Sequence, residues 1–251
     1  MLSKAIILTV VLACAFLYGA FQHRQGGWPF GQNLSGQVEK LLATTKPSDD
    51  KARNEKTAQW IDRLKKGGYL LFIRHAHRDK WAQSIAFDIH SYVNNIDDAS
   101  QTSFKKAVCL SDMGVEEAKV MGKFFERIGI PIGQVMSSPS CRARQTAILA
   151  FGKHDAIENS LALTSYQDGS GKPDPILNFL RTVEIKPTHN TLLVAHGGRL
   201  DMHKGGAIVG NMPEIQETGF YIMERTADKH LSIVFTIASL NDFAIGGNYP
   251  R

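Results

Sequence analysis

The chain has 251 residues, 43% of them hydrophobic, which is enough to bury a full core and excludes fibrous and wholly disordered classes. A formal net charge of +5 favours anionic partners, but the basic residues are spread out and no aromatic-interleaved basic run appears, so nucleic acid is not an expected partner. Three cysteines, at positions 14, 109 and 141, have neither CxxC nor paired spacing, which argues against structural zinc and gives no expectation of a metal.

From Ala5 to Phe21 the chain is apolar and uncharged for 17 residues, with Lys4 before it and Arg24 after it. That length lies between a signal-peptide core and a membrane span. Small residues are missing where a cleavage site would want them, so residues 1–21 read as a signal anchor: an apolar anchor helix associating with a membrane through residues 5–21. The expected location is membrane-anchored with the domain on the periplasmic or extracellular side, or secreted if the segment is cleaved. Residues 22–52 carry five glycines and prolines before Pro47 and a Ser48-Asp49-Asp50 cluster, the composition of a flexible linker. A folded domain is expected over 53–251.

Trp60, Ile61 and Leu64 recur at helical spacing before Gly67-Gly68, and the run Tyr69–Ile73 reads as a buried strand that delivers Arg74-His75-Ala76 at its end. Residues 79–107 form a polar stretch long for a loop, expected to be either a small helical insertion or a lid over the site. Ser111 or Asp112 caps a helix whose core stripe is Val115, Ala118, Met121, Phe125 and Ile128, stopped by Gly129 and Pro131. A short strand at Gln134–Met136 then runs into Ser137-Ser138-Pro139-Ser140-Cys141-Arg142-Ala143-Arg144, a strand-to-helix turn suited to anions because free N–H groups and the helix dipole point outward there. After a weak strand near Ala156-Ile157 and a helix through Ile176, Leu177, Leu180 and Val183, a second buried strand, Leu192–Ala195, ends in His196-Gly197-Gly198. Phe220–Met223 and Leu231–Ile237 close the chain as strands, with a hairpin at the sheet edge as one arrangement. Strands alternating with helices indicate a mostly parallel sheet covered on both faces.

Two strand-end histidines, a strand-end arginine and arginines in a helix's first turn suit phosphate. Guanidinium forks match phosphoryl oxygens and stay charged, and a neutral imidazole can attack phosphorus. Cys109 and Cys141 either pair in a disulfide or remain separate thiols. Ser138 reads as a turn or N-cap residue and not a nucleophile, His77 as loop filler and not a base, and Arg144 as a solvent-facing or carboxylate-paired side chain. No GxSxG elbow supports serine hydrolase chemistry.

Arg74-His75-Ala76 after a strand, Leu110-Ser111-Asp112-Met113-Gly114 opening a helix, the 137–147 segment and Val194-Ala195-His196-Gly197-Gly198, in this order, resemble the histidine phosphatase (phosphoglycerate mutase-like) superfamily, in its phosphatase branch. The wording from Cys109 to Asp112 is similar to exported bacterial members acting on lipopolysaccharide-core sugar phosphates. The resemblance implies a three-layer α/β/α sandwich and a phosphomonoester hydrolase that uses a phosphohistidine, no cofactor and no metal, on a small phosphorylated substrate, with a sugar phosphate as one candidate. It implies His75 as nucleophile, with Arg74, Arg142 and His196 around the phosphoryl group; Arg78 is either a third phosphate contact or a surface charge, and Ser138 and Gly197 are further substrate-binding candidates. A proton donor does not stand where the family places one; Asp168, Asp201, Glu158 and Asp79 are the candidates. The alternative is a catalytically weak phospho-ligand binding or scaffold protein on the same fold, and a mutase is the less favoured enzyme.

Overall fold

The computed structural model describes residues 51–79, 108–162, 175–197, 199–200, 208–210 and 212–248. The anchor at 5–21, the linker through residue 50, the 80–107 insertion, Asp168 and Asp201 lie outside the described residues. No helix among the described residues is long and apolar enough to cross a membrane.

The described chain runs α1 (Lys51–Leu64), β1 (Leu70–Arg74), α2 (Asp112–Ile128), β2 (Ile132–Ser137), α3 (Cys141–Phe151), β3 (Ala156–Ile157), a 3-10 turn (Asn159–Leu161), α4 (Pro175–Thr182), β4 (Asn190–Ala195), β5 (Ile208–Val209), β6 (Phe220–Arg225), β7 (Leu231–Ile237) and α5 (Leu240–Asn248). The strands form one seven-stranded sheet ordered β3-β2-β4-β1-β6-β7-β5. Its first four strands are mutually parallel. Strand β6 runs against both β1 and β7, making a hairpin, but one that lies inside the sheet and not at its edge, because β5 pairs parallel to β7 beyond it.

Alternation along each strand divides the side chains between two cores. Leu70, Phe72, Leu193, Ala195, Tyr221 and Met223 share one face with Ile176 and Leu180 of α4. On the other face Phe220 meets Phe125 of α2 and Phe243 of α5, while Phe235 of β7 stacks on Trp60 of α1 with centroids 5.7 Å apart. Burying each such ring contributes roughly 1.5–3 kcal/mol. Helices therefore cover both faces, the layering that the alternating pattern predicts.

The local signals behave as their chemistry requires. Ser111 caps α2, its Oγ accepting the Gly114 N–H at 3.2 Å, and Gly129 ends the helix at φ 78°. Two readings change. The buried set of α2 is Gly114, Ala118, Val120, Met121, Phe124 and Phe125, with Val115 and Ile128 only half-buried, because both α3 and α5 pack on the helix and widen its covered face. The glycine-rich Leu240–Asn248 stretch, for which the sequence suggested no element, is a helix. A Cβ at Gly246 would stand 2.4 Å from Thr57 Cγ2, so the glycine lets α5 lie close against α1.

Candidate active site

Strand register assembles the site. Arg74 pairs with Ala195 and Ser137 with Val194, so β1, β4 and β2 all release their chains at one edge of the sheet. His75 follows β1, His196 follows β4 and Ser138 follows β2, which is the carboxyl edge where open α/β sheets place ligands. Because β6 is antiparallel to β1, the 212–219 segment that precedes it arrives at the same edge. There the Thr218 N–H donates to the carbonyls of both Arg74 and His75 at 3.2 Å.

His75 is buried, and its Nδ1 lies 2.7 Å from the Ala76 carbonyl while its Nε2 receives the Arg142 Nε–H at 3.2 Å. A carbonyl can only accept and a guanidinium can only donate, so Nδ1 carries the proton and Nε2 the lone pair. Burial first, and then the Arg142 charge, push the imidazole pKa down from 6.5 to about 3. The ring is neutral throughout the physiological range, with its unprotonated nitrogen facing the arginine.

Arg142 bridges two histidines, since its Nη2 lies 3.2 Å from His196 Nδ1. By the same rule His196 accepts there and donates its Nε2 proton to Ser138 Oγ at 2.9 Å. Burial and Arg142 hold the His196 pKa well below its ordinary value. The two rings stand 5.3 Å apart, centroid to centroid. Arg74 is fixed on its other side: Nη1 donates to the Ile215 carbonyl at 2.8 Å, and its buried Nε has no acceptor. A Cβ on Gly197 would come within 2.9 Å of Arg74 Cδ, so that glycine makes room for the arginine. Arg78, bridged to Leu110, stands close enough for its charge to lower the His75 pKa.

Neighbouring groups hold these parts in place. Thr146 Oγ1 accepts the Ala76 N–H at 3.0 Å and donates to the Arg142 carbonyl at 2.7 Å, tying the loop that carries His75 to the helix that carries Arg142. His77 is a bolt and not filler. Its N–H donates to Glu117 Oε2 at 2.9 Å, its Nδ1 lies 2.7 Å from Ser111 Oγ, and its carbonyl sits where a Gly114 Cβ would be, at 1.9 Å. Cys109 and Cys141 are joined in a disulfide with their Cα atoms 4.9 Å apart, so the residue before Arg142 is covalently fastened to the segment that caps α2.

The structure thus brings His75, Arg74, Arg142 and His196 together, with Ser138 and Gly197 supporting and Arg78 nearby. Among the candidate proton donors, the Glu158 carboxylate accepts the Ser160 N–H at 2.9 Å and caps the 3-10 turn. Asp79 joins Cys109 through its backbone N–H. Arg144 is fully buried, contrary to the solvent-facing expectation, because α3 packs this side of its first turn inward against α2 and the sheet. Sequence reasoning passed over Arg199, whose Nε and Nη2 both donate to the Ser160 carbonyl. It also passed over Glu217, 4.0 Å from Arg74 Nη2, in a segment that lacks any strand-end signal. Among the described residues no three His, Cys, Asp or Glu side chains stand together as metal ligands would.

No family model and no curated protein matches the chain. Solved structures that resemble it include the protein histidine phosphatase SixA complexed with tungstate, at 12% identity over 68% of this chain and 96% of that one, TM-score 0.45. Another is a mutant phosphoserine phosphatase from Entamoeba histolytica in complex with phosphoserine, at 13% identity over 69% and 98%, TM-score 0.41. A third is the ecdysone phosphate phosphatase from Bombix mori in complex with tungstate, at 14% identity over 62% and 88%, TM-score 0.39. These neighbours are phosphatases. Overlaps this loose at identities this low do not define a family, and the functional reading rests on the site's own geometry.

Proposed function

We propose that the chain is a phosphomonoester hydrolase of the histidine phosphatase superfamily, acting on a small phosphorylated substrate through a phosphohistidine at His75. The observation that carries this is the tautomer of His75: Nδ1–H held by Ala76, Nε2 unprotonated and directed at the guanidinium of Arg142. Phosphoryl oxygens entering at Arg142 and Arg74 would bring phosphorus to that lone pair. Attack by Nε2 forms the N–P bond as the ester P–O bond breaks; water then attacks phosphorus, releasing phosphate and regenerating the imidazole. Arg74, Arg142 and Arg78 neutralise charge on the transferring group, and positioning and electrostatics supply most of the rate. In the same reading the domain lies outside the cytoplasm, held to a membrane by residues 5–21. The Cys109–Cys141 disulfide supports an oxidising compartment.

The test is hydrolysis of an aryl phosphate without added metal by the wild-type protein and by His75→Ala. The expected result is turnover that falls to background in the variant, with acid-labile phosphate trapped on the wild-type protein after a rapid quench. A wild-type rate no greater than the variant's removes the enzyme and leaves phospho-ligand binding as the site's role.

A further inference from the structure

Cleaving an unactivated alkyl phosphate requires a proton for the departing oxygen, since an alkoxide is far too basic to leave alone at neutral pH. Among the described residues, the histidines and arginines of the pocket do not offer one. His75 keeps its Nδ1 proton on the Ala76 carbonyl and commits Nε2 to phosphorus, His196 gives its proton to Ser138, and a guanidinium does not give up a proton.

The orientation of Arg74 shows where to look. Its Nη1 is occupied by the Ile215 carbonyl, whereas its Nε is buried without an acceptor. A phosphoryl group taken by this arginine therefore lies along the Nε–Nη2 edge, the fork that binds oxyanions bidentately. Glu217 Oε1 is 4.0 Å from Nη2 on that edge, and the Glu217 side chain is only 16% exposed. Its loop is braced where it counts: Thr218, at φ 67° in a conformation uncommon for a β-branched residue, donates to the carbonyls of Arg74 and His75. A second carboxylate, Glu117, is near enough for the two charges to repel, and is itself occupied by the His77 N–H.

We propose that Glu217 is the proton donor of the reaction, and so extends the phosphatase reading to alkyl esters. As Nε2 of His75 bonds to phosphorus, the P–O bond breaks, its electron pair takes the Glu217 proton, and an alcohol departs. In the second half the Glu217 carboxylate accepts a proton from the water that attacks phosphorus, and the P–N bond breaks. The cycle closes with no other reagent.

This rests on the phosphatase reading, and the test separates the two. The full chain, Glu217→Gln, Glu217→Ala and His75→Ala are assayed on 4-nitrophenyl phosphate, which needs no acid, and on glycerol 2-phosphate, which does. Both Glu217 variants should lose about 100-fold or more in kcat on glycerol 2-phosphate and about threefold at most on 4-nitrophenyl phosphate. Equal losses on both substrates would reduce Glu217 to an orienting partner of Arg74. No loss, or a wild-type protein active on the aryl ester alone, would equally overturn the assignment while leaving the phosphatase intact. A wild-type protein no faster than His75→Ala on either ester would refute both proposals.

Discussion

At the scale of single residues, the site maintains its reactivity at a cost in acid tolerance. His75 has a pKa near 6.5 in an unfolded chain and about 3 in the fold, so between those values the unfolded chain binds a proton that the fold refuses. Stability accordingly rises with pH through that window and is lost as pH falls from 6.5 toward 3; His196 acts in the same direction. Acidification from pH 7 to 4.5 is expected to lower the urea midpoint of the wild type more than that of His75→Asn, and matching drops would show that the ring is not held neutral. Arg142 presents Nε to one imidazole and Nη2 to the other, a fork that a lysine ammonium cannot reproduce. Arg142→Lys should lower kcat by about 10²–10³-fold, measured with an aryl phosphate, while the far-ultraviolet circular dichroism stays unchanged. The four central residues were legible in the sequence because each breaks a pattern: a charge or imidazole directly after an apolar strand, or an arginine after a serine cap. Glu217 and Thr218 break none. They stand in an unremarkable turn and reach the site only because β6 runs antiparallel to β1, which no local pattern states.

At the scale of elements, the legible ones have both a period and a stop signal, as α2 has its apolar stripe, Ser111 and Gly129. The illegible ones are specified by contact. Helix α5 carries paired glycines that argue for a loop, yet Gly246 permits the close approach to α1 that buries Phe243 and Ala244. Strand β5 has two residues, too few for any alternation to show. Helices α2 and α3 meet in the same way, because a Cβ on Gly122 would stand 2.0 Å from the Ala150 carbonyl oxygen. That contact involves backbone, which cannot rotate away, so Gly122→Ala must separate the helices. The expected cost is about 1–3 kcal/mol of stability by denaturant unfolding. Since Arg142 rides on α3, kcat should fall as well; an unchanged unfolding midpoint would mean that the helices lie farther apart than described.

Over the whole molecule, one covalent link joins the two parts of the chain that the chemistry depends on. Residues 108–111 lie beside the loop that follows β1, where Leu110 bridges Arg78 and its N–H donates to Gln145 Oε1 at 2.8 Å. The disulfide fastens this return to the first residue of α3, over a sequence separation of 32. Composition left Cys109 and Cys141 either paired or separate; the parallel order of β2, β4 and β1, which sets α3 beside the β1 loop, brings them together. Closing a loop of that length stabilises a fold by about 2–4 kcal/mol. Reductant should therefore lower the unfolding free energy of the wild type by roughly that amount, and leave a Cys109→Ser, Cys141→Ser double variant unaffected. Because the freed residue is the one before Arg142, kcat on an aryl phosphate should fall with the same reductant dependence. The link also bears on the proposed location outside the cytoplasm, because disulfides form and persist most readily in oxidising compartments. Chain exported from a cell should yield a single peptide pair joined through positions 109 and 141 in non-reducing mass mapping, while the same chain retained in a reducing cytosol should be less stable and less active. Two free thiols in fully active exported protein would remove both the clamp and the case for an oxidising compartment.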